Sequence, residues 1–162
     1  MSAKKRQREQ PLTYTLMHVM LADPVRPMPE PRRRHQLTRM WQGLAALEQG
    51  QAPTTDDWRV LSDVMNLLET LVVQGIATDD RGLVMDGVNA LALAARRHVA
   101  GGALRLDGPG IAAARAALLD YTDLLALLSE RVIVQCHRNT EIRTRKIRSG
   151  KRQAHDVEVV EI

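Results

Sequence analysis

Apolar residues recur at three- and four-residue steps through most of the chain, and this spacing places side chains on one face of an α-helix. The clearest case follows Thr54, where the apolar positions are Trp58, Leu61, Met65, Leu68 and Val72. Thr54 and Asp57 have the spacing of a capping box, with acidic residues in the first turn, where the helix dipole favours them. The pattern predicts a helix that starts at Thr54, ends at Gly75 and buries nearly half of its surface.

Two neighbouring segments show the same spacing. One runs from Leu37 to Leu47 and ends at Gly50. The other is expected to start at Thr78–Asp80 and to stop before Gly101–Gly102, with its buried line at Val84, Val88, Leu91 and Ala95. Several alanines leave little side-chain volume on this helix, so another helix can approach it closely.

The longest helical pattern follows the turn Asp107–Gly110, for which Asp107 is the expected cap. A single helix from Ile111 to Ile147 would be roughly 55 Å long, which exceeds the span of a compact domain of this size. We therefore expect a break at Ser129, which can cap a new helix. A short strand over 132–134 is the alternative at that point.

Composition supports an all-α fold. The 162 residues include 2% aromatics and no Phe, whereas strands of sandwiches and barrels are rich in aromatic and β-branched residues. We predict a bundle of four to five helices with basic N- and C-terminal arms. The expected divisions are a basic, Pro-rich arm at 1–35, the bundle at 36–147 and a tail at 148–162. We also expect a homodimer, because one body of this size does not cover every apolar stripe.

The net charge of +4 is unevenly distributed along the chain. Residues 1–40 carry nine basic and three acidic groups, 41–130 carry six and twelve, and 131–152 carry eight and one. Basic segments that flank an acidic body are typical of proteins that bind a polyanion, with nucleic acid as the first candidate. The alternative is that the arms fold back on the acidic body of the same chain or of a second copy.

Within the C-terminal arm, arginines recur every seven residues at Arg131, Arg138, Arg145 and Arg152. On a helix the first three share one face, and such a stripe can follow phosphates. No aromatic platform for stacking bases is evident, because three of the four aromatic residues fall on faces expected in the core. The predicted phosphate contacts are Arg32, Arg33, Arg34, Arg138, Arg143, Arg145, Lys146 and Arg148.

Catalytic and metal-binding patterns are missing from the sequence. Cys136 and His137 are neighbours, which on a helix places their side chains about 100° apart and aims the imidazole badly for the thiol proton. The five histidines show no i,i+4 pair and no second Cys near them. We therefore expect no enzyme activity, no cofactor and no metal site. The lone Cys, the poor match to a signal peptide and the lack of a long apolar run predict a cytoplasmic protein that does not enter a membrane.

Two segments, Leu44–Trp58 and Val64–Leu71, together with the Leu104–Gly110 turn, resemble a group of small helical proteins of phages, prophages and plasmids in β- and γ-proteobacteria. Some members are labelled Fis-like transcriptional regulators. The resemblance covers 36–145 and implies an accessory protein of a mobile element in a bacterial cytoplasm. Two hypotheses follow: a factor that binds nucleic acid or regulates transcription, or an inhibitor that binds an acidic surface of a host protein complex.

Overall fold

The computed structural model describes residues 10–150 and Ile162. This part of the chain forms six α-helices and no strand: α1 (Leu16–Leu21), α2 (Glu30–Gln49), α3 (Thr55–Val73), α4 (Leu83–Val99), α5 (Gly108–Leu127) and α6 (Glu130–Arg148). The all-α prediction is confirmed, and the number of helices in the described residues exceeds the four to five expected. The strand considered at 132–134 is part of α6.

Helix α3 lies at the centre of the bundle, in contact with α2, α4, α5 and α6. It buries eight residues, among them Trp58, whose indole Nε1 donates to the Leu91 carbonyl oxygen of α4 at 2.9 Å. Helices α2 and α3 pack closely because Gly43 has no side chain. A Cβ at Gly43 would lie 2.9 Å from the backbone oxygen of Asp57. The apolar stripe of α3 is thus covered within one chain, so this stripe gives no reason for a dimer.

Small residues allow α4 and α5 to pack closely, as the alanine-rich sequence predicts. A Cβ at Gly87 of α4 would lie 3.8 Å from the Cα atom of Ala114, and a Cβ at Gly110 of α5 would lie 2.9 Å from the Ala90 Cβ. The segment between these helices is irregular, and its Leu106 N–H donates to the Leu47 carbonyl oxygen at 3.1 Å.

The predicted starts of α3 and α6 are confirmed. Asp107 caps α5 as predicted, but the expected turn over 108–110 is the first turn of that helix. Thr54 and Asp57 form the capping box of α3, Asp107 accepts from Gly110 N–H at 2.8 Å, and Ser129 caps α6. The start of α4 is a correction: the helix begins at Leu83, after the left-handed Gly82.

Asp79 nevertheless caps the N-terminus of α4, although it lies outside the helix. Its carboxylate accepts from the N–H groups of Val84 and Met85 at 3.0 and 3.3 Å. The first turn of a helix leaves N–H groups without intrahelical partners, and a carboxylate several residues upstream satisfies them here.

The boundaries predicted for the two arms also differ from the structure. Helix α2 starts at Glu30, so the boundary drawn at residue 35 falls inside a helix, and Arg32–Arg34 belong to its first turns. Helix α6 extends through Arg148, one residue beyond the boundary at 147, and packs on α3 and α1. Residues 10–29, here called the N-terminal strap, run along α6. Arg152 lies outside the described residues.

The close crossing of α2 and α3 can be tested with Gly43→Ala. Alanine favours a helix by up to about 1 kcal/mol over glycine, but the new methyl group would overlap the Asp57 carbonyl. We expect a net loss of about 1–3 kcal/mol in the free energy of unfolding, measured by urea denaturation. The control Ala45→Ser, on the exposed side of α2, should change stability little. Equal stability of Gly43→Ala and the native chain would contradict the crossing.

Candidate nucleic-acid interface

One predicted phosphate contact on α6, Arg145, and Arg131 of the same seven-residue series instead bind the strap. Arg131 donates to the carbonyl oxygens of Ala22 and Met20 at 3.2 and 3.0 Å. Arg145 donates to those of Gln10 and Pro11 at 2.5 and 3.0 Å. Two members of the series, Arg131 and Arg145, which lie 14 residues apart, thus bind separate sites on the strap backbone.

The arginines donate hydrogen bonds to the strap, whereas carboxylates of α6 accept hydrogen bonds from it. Glu141 accepts from the Thr13 N–H at 2.9 Å, and Glu130 accepts from the Asp23 N–H at 3.3 Å. The first N–H groups of α6 complete this set, since Arg131 N–H donates to the Asp23 carbonyl oxygen at 3.0 Å. Strap carbonyl groups thus accept hydrogen bonds from the N-terminus of α6. In return, side chains of α6 form hydrogen bonds with the strap backbone.

The remaining basic residues of α6 differ in exposure. Arg143 forms an ion pair with Glu69 of α3, and both side chains are only 20% exposed. Arg138 is half-buried, and its Nε atom is buried without a hydrogen-bond partner in the described part of the chain. Lys146 and Arg148 are exposed near the end of the helix. Arg145 also pairs with Glu141, so much of this arm is engaged within the molecule.

The arginines of α2 are more accessible. Arg34 is 75% exposed and pairs with Glu30 on the same helix, which is 63% exposed. An ion pair at this exposure contributes little to stability and is screened by salt. Arg33 is half-buried, and Arg32 donates to Glu130 at 2.6 Å.

One face of α2 forms an open groove of about 690 Å³ in which Arg33 and Arg34 lie on the same helix face as Trp41. Trp41 is half-buried, whereas Trp58 and Tyr121 are in the core. The residues along the groove are Glu30, Arg33, Arg34, Leu37, Thr38, Trp41, Gln42 and Ala45. Their spacing of three and four places cations and an aromatic ring within one stretch of surface.

A smaller pocket of about 370 Å³ lies on the opposite flank of α2. Arg32 and His35 line it together with Tyr14 of the strap. The N-terminal half of α2 therefore has a basic and aromatic surface on both sides, and the strap completes one of them. The structure places Arg33 and Arg34 on the groove side of α2 and Arg32 on the opposite flank, where Arg32 pairs with Glu130.

Trp41 is the functional candidate that sequence reasoning missed. Its position in the series Leu37, Trp41, Leu44 matches a buried helix face, and the two leucines are indeed buried or half-buried. The signal was the Arg33–Arg34 pair about two turns earlier, which shares the outer edge of that face with Trp41.

The pair Cys136 and His137 shows no geometry for catalysis. The Cys136 thiol donates to Gln74 Oε1 at 3.3 Å, and burial raises its pKa to about 11. The thiolate form that attacks a substrate is therefore scarce at neutral pH. His137 packs against Tyr14 of the strap at a ring-centroid distance of 5.4 Å, and burial lowers its pKa to about 4.

Two further structural findings apply to residues 10–150 and 162. No group of three or more His, Cys, Asp or Glu side chains is arranged to hold a metal ion. None of the helices in this range combines the length and the apolar character that crossing a bilayer requires.

Comparison with family models, curated proteins and solved structures finds no match to the chain. The resemblance to proteins of phages and plasmids therefore stays a prediction, as do the bacterial cytoplasm and the role in transcription.

The packing of His137 beneath the strap predicts a pH dependence. The folded protein holds this pKa at about 4, below the ordinary 6.5, so the unfolded chain takes up the proton first as the pH falls. We expect the His137 contribution to stability to decline from pH 7 toward pH 4 by about 1–3 kcal/mol. Urea denaturation across this range should show a flatter profile for His137→Gln than for the native chain. His98→Gln, at an exposed position, should leave the profile unchanged, and equal profiles for all three proteins would contradict the burial of His137.

Proposed function

We propose that this protein binds nucleic acid without catalysing a reaction, as an accessory or regulatory factor, and that the outer face of α2 is its main contact. The observation that carries this proposal is the groove in which Arg33, Arg34 and Trp41 share one helix face. Arginine donates to phosphate oxygens in a fixed fork, and an aromatic ring offers a surface on which a base can stack. Lys146 and Arg148 are exposed on α6 and contribute positive charge.

Single-stranded nucleic acid fits this face better than a duplex. Bases of a single strand are free to stack on Trp41, whereas those of a duplex are already stacked on each other. The pair between Arg34 and Glu30 does not prevent binding, because a phosphate can replace an exposed and weak ion-pair partner.

Contacts to phosphate and to bases can be separated by two sets of variants. Arg33→Ala with Arg34→Ala should lower affinity for a short oligonucleotide and reduce the magnitude of the salt slope by about 1.4, since each single-strand phosphate contact contributes about 0.7. Trp41→Ala should weaken single-strand binding roughly 5- to 150-fold, the effect of losing about 1–3 kcal/mol of stacking. Fluorescence anisotropy over a salt series measures both effects.

The matched control for the arginine pair is Arg59→Ala with Arg81→Ala, which removes the same charge from exposed positions outside α2. This control should keep nearly all of the affinity. Equal losses in both double variants would indicate a nonspecific effect of net charge, and the absence of binding by the native chain at low salt would refute the proposal.

A protein-binding role is the second candidate, and a separate observation favours it. The strap presents four large apolar side chains to solvent on α1: Leu16, Met17, Met20 and Leu21. Exposed clusters of this kind mark interaction surfaces in many proteins. In this alternative the protein modulates a host complex, and the α2 variants would retain the activity that α1 variants lose.

A further inference from the structure

The outer side of α1 is apolar although its inner side already packs on the protein. Leu16, Met17, Met20 and Leu21 are 60%, 68%, 75% and 78% exposed, and Val25 follows at 81%. We call these five residues the α1 ridge. On the other side of α1, Val19 is half-buried and Ala22 is buried. A helix that is apolar on both sides is normally covered on both sides.

The ridge is held in place by the α6 contacts to its backbone. Arg131 binds the carbonyl oxygens of Met20 and Ala22, and Asp23 donates its N–H to Glu130. The apolar side chains are thus presented on a supported segment. This support lowers the conformational entropy lost when the ridge binds another surface.

Two cations lie next to the ridge in the described part of the chain. Arg26 is exposed beside Val25, and Arg131 binds the Met20 carbonyl oxygen. The nearby acids have internal partners: Asp23 accepts from the N–H groups of Val25 and Arg26, and Glu130 binds Arg32. An apolar surface flanked by acidic side chains is the electrostatic complement of the ridge.

The chain itself carries such a surface on α5. Leu119 and Leu127 are 54% and 77% exposed, and Asp120 and Asp123 lie between them on the same helix face. We call these four residues the α5 outer face. Neither aspartate forms an ion pair within the described part of the chain. The nearest basic residue on this helix, Arg115, forms an ion pair with Glu48 at 2.6 Å.

We propose that the α1 ridge of one copy docks on the α5 outer face of a second copy. The leucines of α5 and the methionines of α1 supply apolar contact, and Arg26 faces Asp120 and Asp123. Methionine suits such a contact because its flexible side chain adapts to irregular surfaces. The inference is independent of nucleic-acid binding and goes beyond it.

A contact between two ridges is less favourable than this one. It would bring two positively charged surroundings together, which costs energy at low salt. Five apolar side chains also form a small interface, and small interfaces give weak and reversible association. We expect a Kd of roughly 10–100 μM for contact between ridge and face.

Sedimentation velocity of the nuclease-treated, full-length protein over a concentration series tests the contact. The average mass of the native chain should rise above 18.1 kDa as concentration increases. Met20→Ser with Leu21→Ser should weaken association at least fivefold, and so should Leu119→Ser. Leu93→Ser, at a position 49% exposed on α4, is the matched control and should associate normally.

Charge reversal tests the pairing of the two surfaces. Arg26→Glu alone, and Asp120→Lys with Asp123→Lys, should each associate more weakly than the native chain. An equimolar mixture of these two proteins should associate more strongly than either alone, because each supplies the charge that the other lacks. Circular dichroism confirms that all variants are folded before they are compared.

Three results would overturn the proposal. One is a native chain that stays at 18.1 kDa up to about 0.5 mM, well above the Kd expected. Another is association that the ridge variant leaves unchanged. The third is a mixture of charge-reversed variants that associates no better than its components, which would assign the ridge to a different partner. Loss of nucleic-acid binding in the α2 variants changes none of these outcomes.

Discussion

The hydrogen bonds between α6 and the backbone of the N-terminal strap are the constraint on which the surface of this protein depends. The parts of the strap that flank α1 have few backbone partners of their own, and here Arg131 and Arg145 supply donors while Glu130 and Glu141 supply acceptors. Without these contacts, residues 10–29 would have to hydrogen-bond to water, and α6 would expose the side that now packs on them.

This constraint divides the basic residues into two groups. Those on the strap side of α6, and Arg143 opposite Glu69, hold the molecule together. Those on the outer side of α2 remain open to solvent and to ligands. Arg143 and Arg145 of the predicted phosphate-binding stripe therefore make contacts within the molecule, whereas phosphate binding by Arg33 and Arg34 is a proposal.

Local chemistry explains which features could be predicted. The capping box of Thr54 and Asp57 and the caps at Ser129 and Asp107 involve residues within three positions of each other, and all three caps are confirmed. The alanines of α4 correctly indicated that another helix approaches it closely. The start of α4 was wrong because Asp79 caps from five residues upstream, across a left-handed glycine.

The strap could not be predicted for a different reason. Arg131 and Arg145 bind main-chain carbonyl oxygens more than one hundred residues away, and a carbonyl group is present whatever the side chain. A sequence therefore holds no complementary residue to pair with those arginines. Trp41 packs against the core as its helical position predicts, but a helical period does not show that a residue at the edge of a face stays partly exposed.

Hydrogen–deuterium exchange with and without a short single-stranded oligonucleotide tests this division most directly. The amides of α2 over 30–45 should become more protected when the oligonucleotide binds, while those of the strap and α6 keep the exchange rates of the free protein. Faster exchange in the strap together with new protection of α6 would show that nucleic acid displaces the strap and binds the arginines beneath it, contrary to the structural role assigned to them here.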